Sequence, residues 1–547
     1  MKLITEIKLK PGFLEQDLIK AMCEKAKIKP NDIKNYEIIK QGIDARKKPN
    51  VFCVLNVAID CDVLVSKKLS KYPEFYPDHS LLNYDIVKTD TQPVIVGFGP
   101  AGMFCALALS RAGLKPIVLE QGRCVEERQK DVEDFWNNRV LNQYSNVQYG
   151  EGGAGTFSDG KLNTSLNNEY CKKIINELIF HGAPKEIYYK NKPHIGTDNL
   201  KIVVKNIREE IIKNGGKIIF NAYFCDFLLK NNQITSIFYK NIQSGKLEEI
   251  KTNMLILALG HSSLNTFKML KEKDVKLIKK PFAVGVRIEH EQDLINKAQY
   301  GAGYDKNLPP ADYKLVEHLP NGRSVFTFCM CPGGQVVASS SEEGGVVTNG
   351  MSEFSRSGKY ANSALLVNVN PDDFGGEDIL SGFYFQRELE KNAFDIAGKN
   401  YNAPAEFVGD FIDCDNKNAK KLHKNEQKNN FLYNNVGNFS TYRPSITFCD
   451  LSNCLPNFVS SSLCEGIVKF DNKIKGFANP NALLIGIETR SSCPVQAVRE
   501  KDYVCTYEGL YMCGEGAGFA GGIISSAVDG VKCAENIINK LSKKQPH

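Results

Sequence analysis

The spacing of apolar and polar positions divides the chain into segments of contrasting period. Residues 3–9 alternate as a half-buried strand does, and residues 14–26 carry apolar side chains at helical spacing. Residues 36–39 and 51–59 return to strand patterning. Together they predict a small α/β unit over residues 1–90, whose Pro- and Tyr-containing tail, 66–90, reads as a connector. The pattern then tightens. Pro93-Val-Ile-Val96, a glycine loop, a helical run over 101–112 stopped by Gly113, and a strand over 116–120 form one βαβ unit. Residues 202–214 predict a helix, 217–220 a strand, 224–229 with 234–239 a hairpin, and 254–259 a short strand that is apolar throughout. Beyond residue 280 the periodicity is mixed, which predicts a further domain over 281–480. Within it the Lys/Asn-rich stretch 416–430 reads as a solvated loop. A last βα unit follows, with a strand over 509–513, a glycine-rich turn and a helix over 524–541.

Composition narrows the class. A chain of 547 residues holds roughly three or four domain-sized units. A net charge of +6 is small for that length and gives no argument for nucleic acid. No stretch approaches the ~20 apolar residues of a membrane span. The opening MKLITEIKLKPGF lacks the apolar stretch of a signal peptide. The expectation is a cytoplasmic protein without membrane contact, whose 17 irregularly spaced cysteines are free and mostly buried. No His/Cys spacing points to a metal. Cys329-Met-Cys331 is too tight for a comfortable disulfide, and it is expected, like Cys449 and Cys454, to be incidental.

The strongest chemical signal is Gly97-Phe-Gly-Pro-Ala-Gly102. In such a loop Gly97 makes the turn out of the strand, Gly99 lets a pyrophosphate approach the backbone, and Gly102 lets helix and strand pack closely. Pro100 and Ala101 open the helix, whose N-terminus offers unpaired N–H groups and a positive dipole end. Glu120 closes the next strand, 18 residues after Gly102, where its carboxylate can accept both ribose hydroxyls and would repel a 2′-phosphate. Gln121 and Arg123 follow it and join the candidate cofactor contacts. The loop from Gly150 to Lys161 carries five glycines, which permit close backbone approach to a ligand. Gly153, Gly155, Thr156, Ser158, Asp159 and Lys161 are its candidate contacts.

At this point the chain resembles the FAD-binding half of the glutathione reductase-like flavoprotein superfamily. Leu255-Ile-Leu-Ala-Leu-Gly260 resembles the segment by which such chains re-enter the FAD domain. Leu510-Tyr-Met-Cys-Gly-Glu-Gly516 resembles the late strand ending in Gly-Asp that contacts the ribityl chain, with Gly514 matched and Glu515 where Asp is usual. Gly521, Gly522 and Ile523 then open a helix near the flavin or its phosphates. A closer resemblance covers nearly the whole chain, to an uncharacterised bacterial FAD-dependent dehydrogenase family. The strings from Gly150 to Lys161, Asn349 to Ser352, Glu488 to Ser492 and Gly514 to Gly522 carry it, with Ile43-Asp-Ala-Arg-Lys47.

The resemblance implies an α/β fold: a Rossmann-type FAD-binding domain over 91–280 and 481–547, an inserted α+β substrate domain over 281–480, and the small N-terminal α/β domain. It implies an FAD-dependent oxidoreductase that passes hydride through flavin N5 to or from an unspecified small molecule. The superfamily's redox cysteines follow the FAD loop closely, whereas Cys449 and Cys454 lie far downstream. The chain has one full G-x-G-x-x-G, so NAD(P)H, where used, is expected to bind transiently beside the flavin. Arg490 and Arg443 are candidate catalytic anchors for an anionic substrate. His290, Arg287 and Glu342 are placed facing the flavin, and His261 serves as a helix cap or an acid–base group. Two alternatives stay open. The cluster Arg46-Lys47-Lys48 motivates a flavoprotein acting on RNA, and the fold would also suit a non-enzymatic binding protein.

Overall fold

A computed structural model describes residues 1–166, 168–414 and 440–543; the expected loop over 416–430 lies outside the described residues. The N-terminal unit is a three-stranded antiparallel sheet in the order Lys2–Leu9, Phe52–Cys61, Ile33–Asp44. The helix Glu15–Ala26 covers it and buries Leu18 and Met22 against Ile4, Leu55 and Val57. The strand Ile33–Asp44 is longer than its apolar pattern predicts, because pairing with Phe52–Cys61 carries it past its polar ends. Of the expected connector, Ser66–Lys68 instead complete a helix begun at Val63.

The nucleotide domain is built on a five-stranded parallel sheet in the order Leu510–Met512, Leu255–Leu257, Val94–Val96, Ile117–Leu119, Lys217–Ile219. Each strand has only three residues, and burial of alternate side chains on both faces explains why Val94–Val96, Ile117–Leu119 and Leu255–Leu257 are apolar throughout; only the edge strand Lys217–Ile219 begins with an exposed lysine. Ile95, Val118 and Ile256 face the helices Pro100–Arg111 and Ile523–Ser542. Val94, Val96, Leu119, Leu255 and Leu257 face an antiparallel sheet of Ala222–Lys230, Gln233–Asn241 and Leu247–Lys251. A sheet covered on both faces needs no polar alternation. The hairpin turns at Asn231 and Asn232, both at positive φ, a combination that Asn tolerates in a two-residue turn.

The further domain is a seven-stranded mixed sheet. Its order is Val316–His318, Ser324–Cys331, Tyr360–Val369, Phe282–Glu291, Leu483–Glu488, Ala403–Phe407, Ile446–Phe448. The helices Ser381–Ile396 and Asn457–Lys473 pack on it around a core that includes Val284, Val286, Leu365, Val459 and Ile485. One boundary differs from the expected one. The strand Leu483–Glu488, assigned from sequence to the returning nucleotide segment, is an inner strand here, bonded to Phe282–Glu291 on one side and Ala403–Phe407 on the other. The crossing back therefore follows Glu488, and it carries the residues after that strand directly onto the seam between the two domains.

Candidate functional site

A cavity of about 490 Å³ is lined by residues of both large domains. Its nucleotide wall begins where Val94–Val96 ends. Gly97 has φ +97°, and a Cβ there would stand 2.4 Å from the Ala258 carbonyl oxygen. A Cβ on Gly102 would stand 2.0 Å from the Gly97 carbonyl oxygen. Both glycines are demanded by the protein's own backbone. Gly99 is not: a Cβ there would find nothing nearer than the Cα of Gly153, 3.7 Å away. Gly521 is equally open, with no atom within 4 Å. Both line the cavity, so glycine at these places keeps clear a space that the protein does not fill, as close approach of a ligand to backbone requires.

Gly99 caps Pro100–Arg111 and Gly522 caps Ile523–Ser542, and neither cap is closed by a side chain. Pro100, Ala101, Gly522 and Ile523 all line the cavity, so the first-turn N–H groups and positive dipole ends of two long helices meet there. Buried Glu120 accepts from Phe98 N–H at 2.8 Å, Gly122 N–H at 2.9 Å and Gly150 N–H at 3.0 Å. An ionised carboxylate has about four acceptor positions, so it keeps capacity for a ribose hydroxyl. Bare N–H groups for phosphates and a free acceptor for ribose are the donor and acceptor set that the adenosine diphosphate half of FAD needs.

The loop from Gly150 to Lys161 is ordered by buried charges. Arg128, wholly buried, donates to the carbonyls of Asn146 at 2.8 Å, Glu151 at 2.6 Å, and Val147 and Gly153 at 2.9 Å. Burial lowers its pKa to about 10. Asp159, also wholly buried, accepts from Lys161 at 2.6 Å, from Arg356 at 2.9 and 2.5 Å, and from the Ser352 hydroxyl. Burial alone would raise the Asp159 carboxyl, but Lys161 and Arg356 outweigh it and hold it below the usual carboxylate range. These clamps leave Gly153, Gly155, Ser158 and Lys161 on the cavity surface.

The opposite wall comes from the further domain: Thr327, Cys329 and Glu488 of the seven-stranded sheet, Tyr313 of a loop, and Asn349 of the strand Thr348–Met351 in a separate two-stranded sheet. Burial raises Glu488 to about 7 despite Arg287 at 3.4 Å. Glu515, beyond the last strand of the nucleotide sheet, is raised by burial to about 8, with Lys280 opposing. Near neutrality both carboxyls therefore retain a proton to donate.

The structure brings together fourteen of the predicted cofactor residues. Gly97, Gly99, Pro100, Ala101, Glu120, Gly153, Gly155, Ser158, Lys161, Gly260, Glu515, Gly521, Gly522 and Ile523 line one cavity. Six others stand behind it. Gly102 and Gly514 are packing positions, the latter with its N–H on Asp529 at 2.7 Å and a would-be Cβ 2.6 Å from that of Ala101. Arg123 pairs with Asp131 at 3.1 Å, and the Thr156 hydroxyl donates to the Glu151 carbonyl at 3.2 Å. Asp159 is the clamp just described, and Gln121 is outside the lining.

The catalytic expectations fare differently. Arg490 reaches the cavity but is a locked ion pair: Nε and Nη2 donate to the buried Glu390 carboxylate at 2.9 and 2.8 Å, and Nη1 to the hydroxyls of Ser262, at 3.2 Å, and Ser341. Arg443 is exposed, outside the lining, with its guanidinium 5.9 Å from the Trp136 ring. His290 is a core residue; its Nε2 meets the Phe477 carbonyl at 2.8 Å, and burial lowers it to about 4. Arg287 is wholly buried behind the wall, Glu342 pairs with Arg387, and His261 lines the cavity with burial lowering it to about 3. Arg128, Tyr313, Cys329 and Glu488 were missed as site residues. Cys329 leaves a trace as Cys-x-Cys, and Glu488 as the first residue of the string from Glu488 to Ser492.

Residues 281–491 match the family described as FAD-dependent protein, C-terminal domain-like, ending close to where the seven-stranded sheet ends. Residues 1–60 match a domain of unknown function. An uncharacterised protein of Clostridium beijerinckii is 46% identical over 540 residues, covering 96% of each chain. Among solved structures, a flavin-dependent brominase aligns with a TM-score of 0.37 at 12% identity, over 83% of this chain and 80% of its own. A flavoprotein/dehydrogenase from Cytophaga hutchinsonii aligns with a TM-score of 0.36 at 11% identity, over 84% and 80%. The chain belongs to one family with the Clostridium beijerinckii protein.

Proposed function

We propose that the protein is an FAD-dependent oxidoreductase that moves a hydride between flavin N5 and a small molecule. One observation carries the reading: two uncapped helix N-termini, the clear space at Gly99 and Gly521, and Glu120 open onto a single cavity whose opposite wall is polar and titratable. Bound FAD supplies the hydride chemistry, and the chain supplies binding, orientation and charge. Glu120 takes the ribose and the N-terminus of Pro100–Arg111 takes the pyrophosphate. Glu515, protonated up to about pH 8, can donate to a ribityl hydroxyl. The N-terminus of Ile523–Ser542 favours negative charge beside it. Glu488, raised to about 7, is the group on the substrate side suited to hold or release a proton near neutrality.

The proposed electron donor is NAD(P)H, bound transiently in the same cavity. Anaerobic mixing of the yellow holoprotein with NADH or NADPH tests this, with bleaching by one of them as the expected result. No bleaching by either removes the pyridine-nucleotide donor. A colourless purified protein removes FAD altogether and favours the non-enzymatic reading. A second reading, a flavoprotein acting on RNA, rests on Arg46, Lys47 and Lys48, all exposed, with Arg46 paired to Asp44 at 2.8 and 2.7 Å; salt-sensitive RNA affinity that vanishes on neutralising the three residues supports it, and no RNA binding at low salt removes it.

A further inference from the structure

The seven-stranded sheet carries apolar side chains on both faces, and the main core uses one of them. Val284, Val286, Val325, Leu365 and Val367 belong to the core under the helices. The residues between them point the other way: Ala283, Ala364 and Leu366 form a separate cluster, with Phe326 packed against it. Residues directly opposite each other across a strand pair share a face, so the register orders this second face into rows. Glu488 stands opposite Gly285, Gly285 opposite Leu366, Leu366 opposite Phe326, and Phe326 opposite Val316. The neighbouring row holds Arg287, Ala364 and Phe328. Past Phe328 the pairing slips before Cys331, and Cys329 follows it onto the cavity.

These rows lead out of the cavity. Glu488 and Phe328 both line it, Ala364 and Leu366 are wholly buried, Phe326 is half-buried, and Phe328 and Val316 are 39% and 46% exposed. From Glu488 to Val316 is four strand spacings, about 19 Å. An antiparallel face that meets water ordinarily turns polar; this one stays apolar to the sheet edge. The charges at its inner end are already matched. Arg490 is held by Glu390, Lys161 by Asp159 at 2.6 Å and Lys192 by Asp312 at 2.6 Å, while Lys314, the remaining lysine of the lining, is exposed to solvent. Burial keeps His261 neutral. An anionic head group would therefore find no free cation inside, whereas an uncharged oxygen finds a donor in the protonated Glu488 carboxyl.

We propose that the substrate class of the cavity is an uncharged carbonyl compound with an apolar chain, its carbonyl oxygen at Glu488 and its chain laid across Phe328, Phe326 and Val316. This deepens the oxidoreductase reading and rests on it for the flavin on the other wall. The chain covers apolar surface that the protein leaves in water, so each methylene placed there tightens binding about two- to fourfold. The gain ends where the sheet ends, past Val316. Glu488 touches the head alone and Val316 the far end of the chain alone, so their contributions are separable.

Isothermal titration of the oxidised holoprotein with saturated methyl ketones, from methyl propyl to methyl nonyl ketone, reads binding without turnover. The Kd should fall about two- to fourfold with each added methylene, and decanoate should bind at least tenfold more weakly than methyl nonyl ketone. Val316→Ser, at an exposed position, should weaken methyl nonyl ketone at least fivefold and leave methyl propyl ketone unchanged. Glu488→Leu should weaken both ketones by one common factor. Phe180→Ser removes an exposed apolar side chain elsewhere on the surface and should change neither. Affinity that is independent of chain length, decanoate binding more tightly than the ketone, or an equal loss in Phe180→Ser overturns the proposal. So does a dimer that dissociates in Val316→Ser with ketone affinity unchanged, which assigns the face to a second copy of the chain. The two readings fail separately. A yellow protein that bleaches with NAD(P)H but shows no dependence on chain length loses only the apolar-chain site, whereas a colourless protein that ranks ketones by length loses only the flavin.

Discussion

The two walls of the cavity are built from different materials. The nucleotide wall is mostly backbone: two helix N-termini, glycines that keep space open, and one carboxylate that ties three loop segments together. The wall of the seven-stranded sheet is mostly side chains, and their charges are set by partners far away in the chain. Lys161 comes from the nucleotide domain, Arg287 from Phe282–Glu291, Cys329 from Ser324–Cys331 and Glu488 from Leu483–Glu488. A backbone site fixes where a cofactor lies and recurs wherever its loop recurs. A side-chain site is assembled only when the sheet closes.

The sharpest way to break that comparison is within the glycine loop itself. Gly97→Ala would force a side chain into positive φ and against the Ala258 carbonyl, costing on the order of 5 kcal/mol from strain and overpacking together. Its melting transition should collapse along with flavin binding. Gly99→Ala has room in the protein, so its apoprotein should melt as the unsubstituted chain does while flavin occupancy falls at least tenfold. Melting curves with and without added FAD separate the two. Full flavin occupancy in Gly99→Ala would mean that the clear space is not where the pyrophosphate lies.

Arg490 tests whether a cationic residue on the cavity is there for a ligand. Its guanidinium is spent on buried Glu390, so Arg490→Ala should cost about 3 kcal/mol by leaving that carboxylate with only Arg387 at 3.5 Å and the Thr489 hydroxyl at 2.7 Å, and Arg490→Met with Glu390→Leu should recover most of the loss. Paired thermal melts of the single and double variants decide it. A single variant of unchanged stability with a raised KM would return Arg490 to the role of substrate anchor.

What the chain's sequence discloses follows the same division. Gly97, Gly99, Gly102 and Glu120 lie in one βαβ unit, so spacing alone places them together, and the apolar strand before the loop supplies the context. The far wall is not local. Phe282–Glu291 is covered on both faces, nearly every residue in it is buried, and so a polar residue such as His290 marks a satisfied core position as readily as a cavity. Leu483–Glu488 reads as a strand of either domain, and only its pairing with Phe282–Glu291 brings Glu488 to the wall. Cys-x-Cys is visible in sequence, but the pairing slip that turns Cys329 outward is a property of the assembled sheet.

Glu488 gives a smaller effect with a definite sign. Its carboxyl moves from 4.5 to about 7 on folding, so between those values the unfolded chain ionises first and stability falls as pH rises. The loss is at most about 3 kcal/mol by the usual conversion of pKa into free energy. Glu488→Gln cannot ionise, so its apoprotein should show a shallower decline of melting temperature between pH 4.5 and 7, with the curves converging at the acid end. Superimposable pH profiles would mean that Glu488 is solvated in the folded protein and is no proton store.

The smallest expected effect concerns Arg443, and it measures how far the site extends. The guanidinium lies over Trp136, whose indole N–H donates to the Ala338 carbonyl at 2.9 Å and whose ring meets Phe157, in the loop that follows Gly150, edge-on at 6.3 Å. That chain of contacts reaches the cofactor wall, but its outermost link is an exposed cation over a ring, worth about 0.5–1 kcal/mol. Arg443→Ala should therefore lower stability by no more than that and leave the rate of anaerobic flavin reduction unchanged within twofold. The indole is already held by its own hydrogen bond and by packing, so removing the cation leaves the ring, and through it Phe157, where it was. A tenfold slower reduction at unchanged stability would show that substrate binding extends past the Trp136 ring to the outer surface, and that the side-chain wall is larger than the residues lining the cavity.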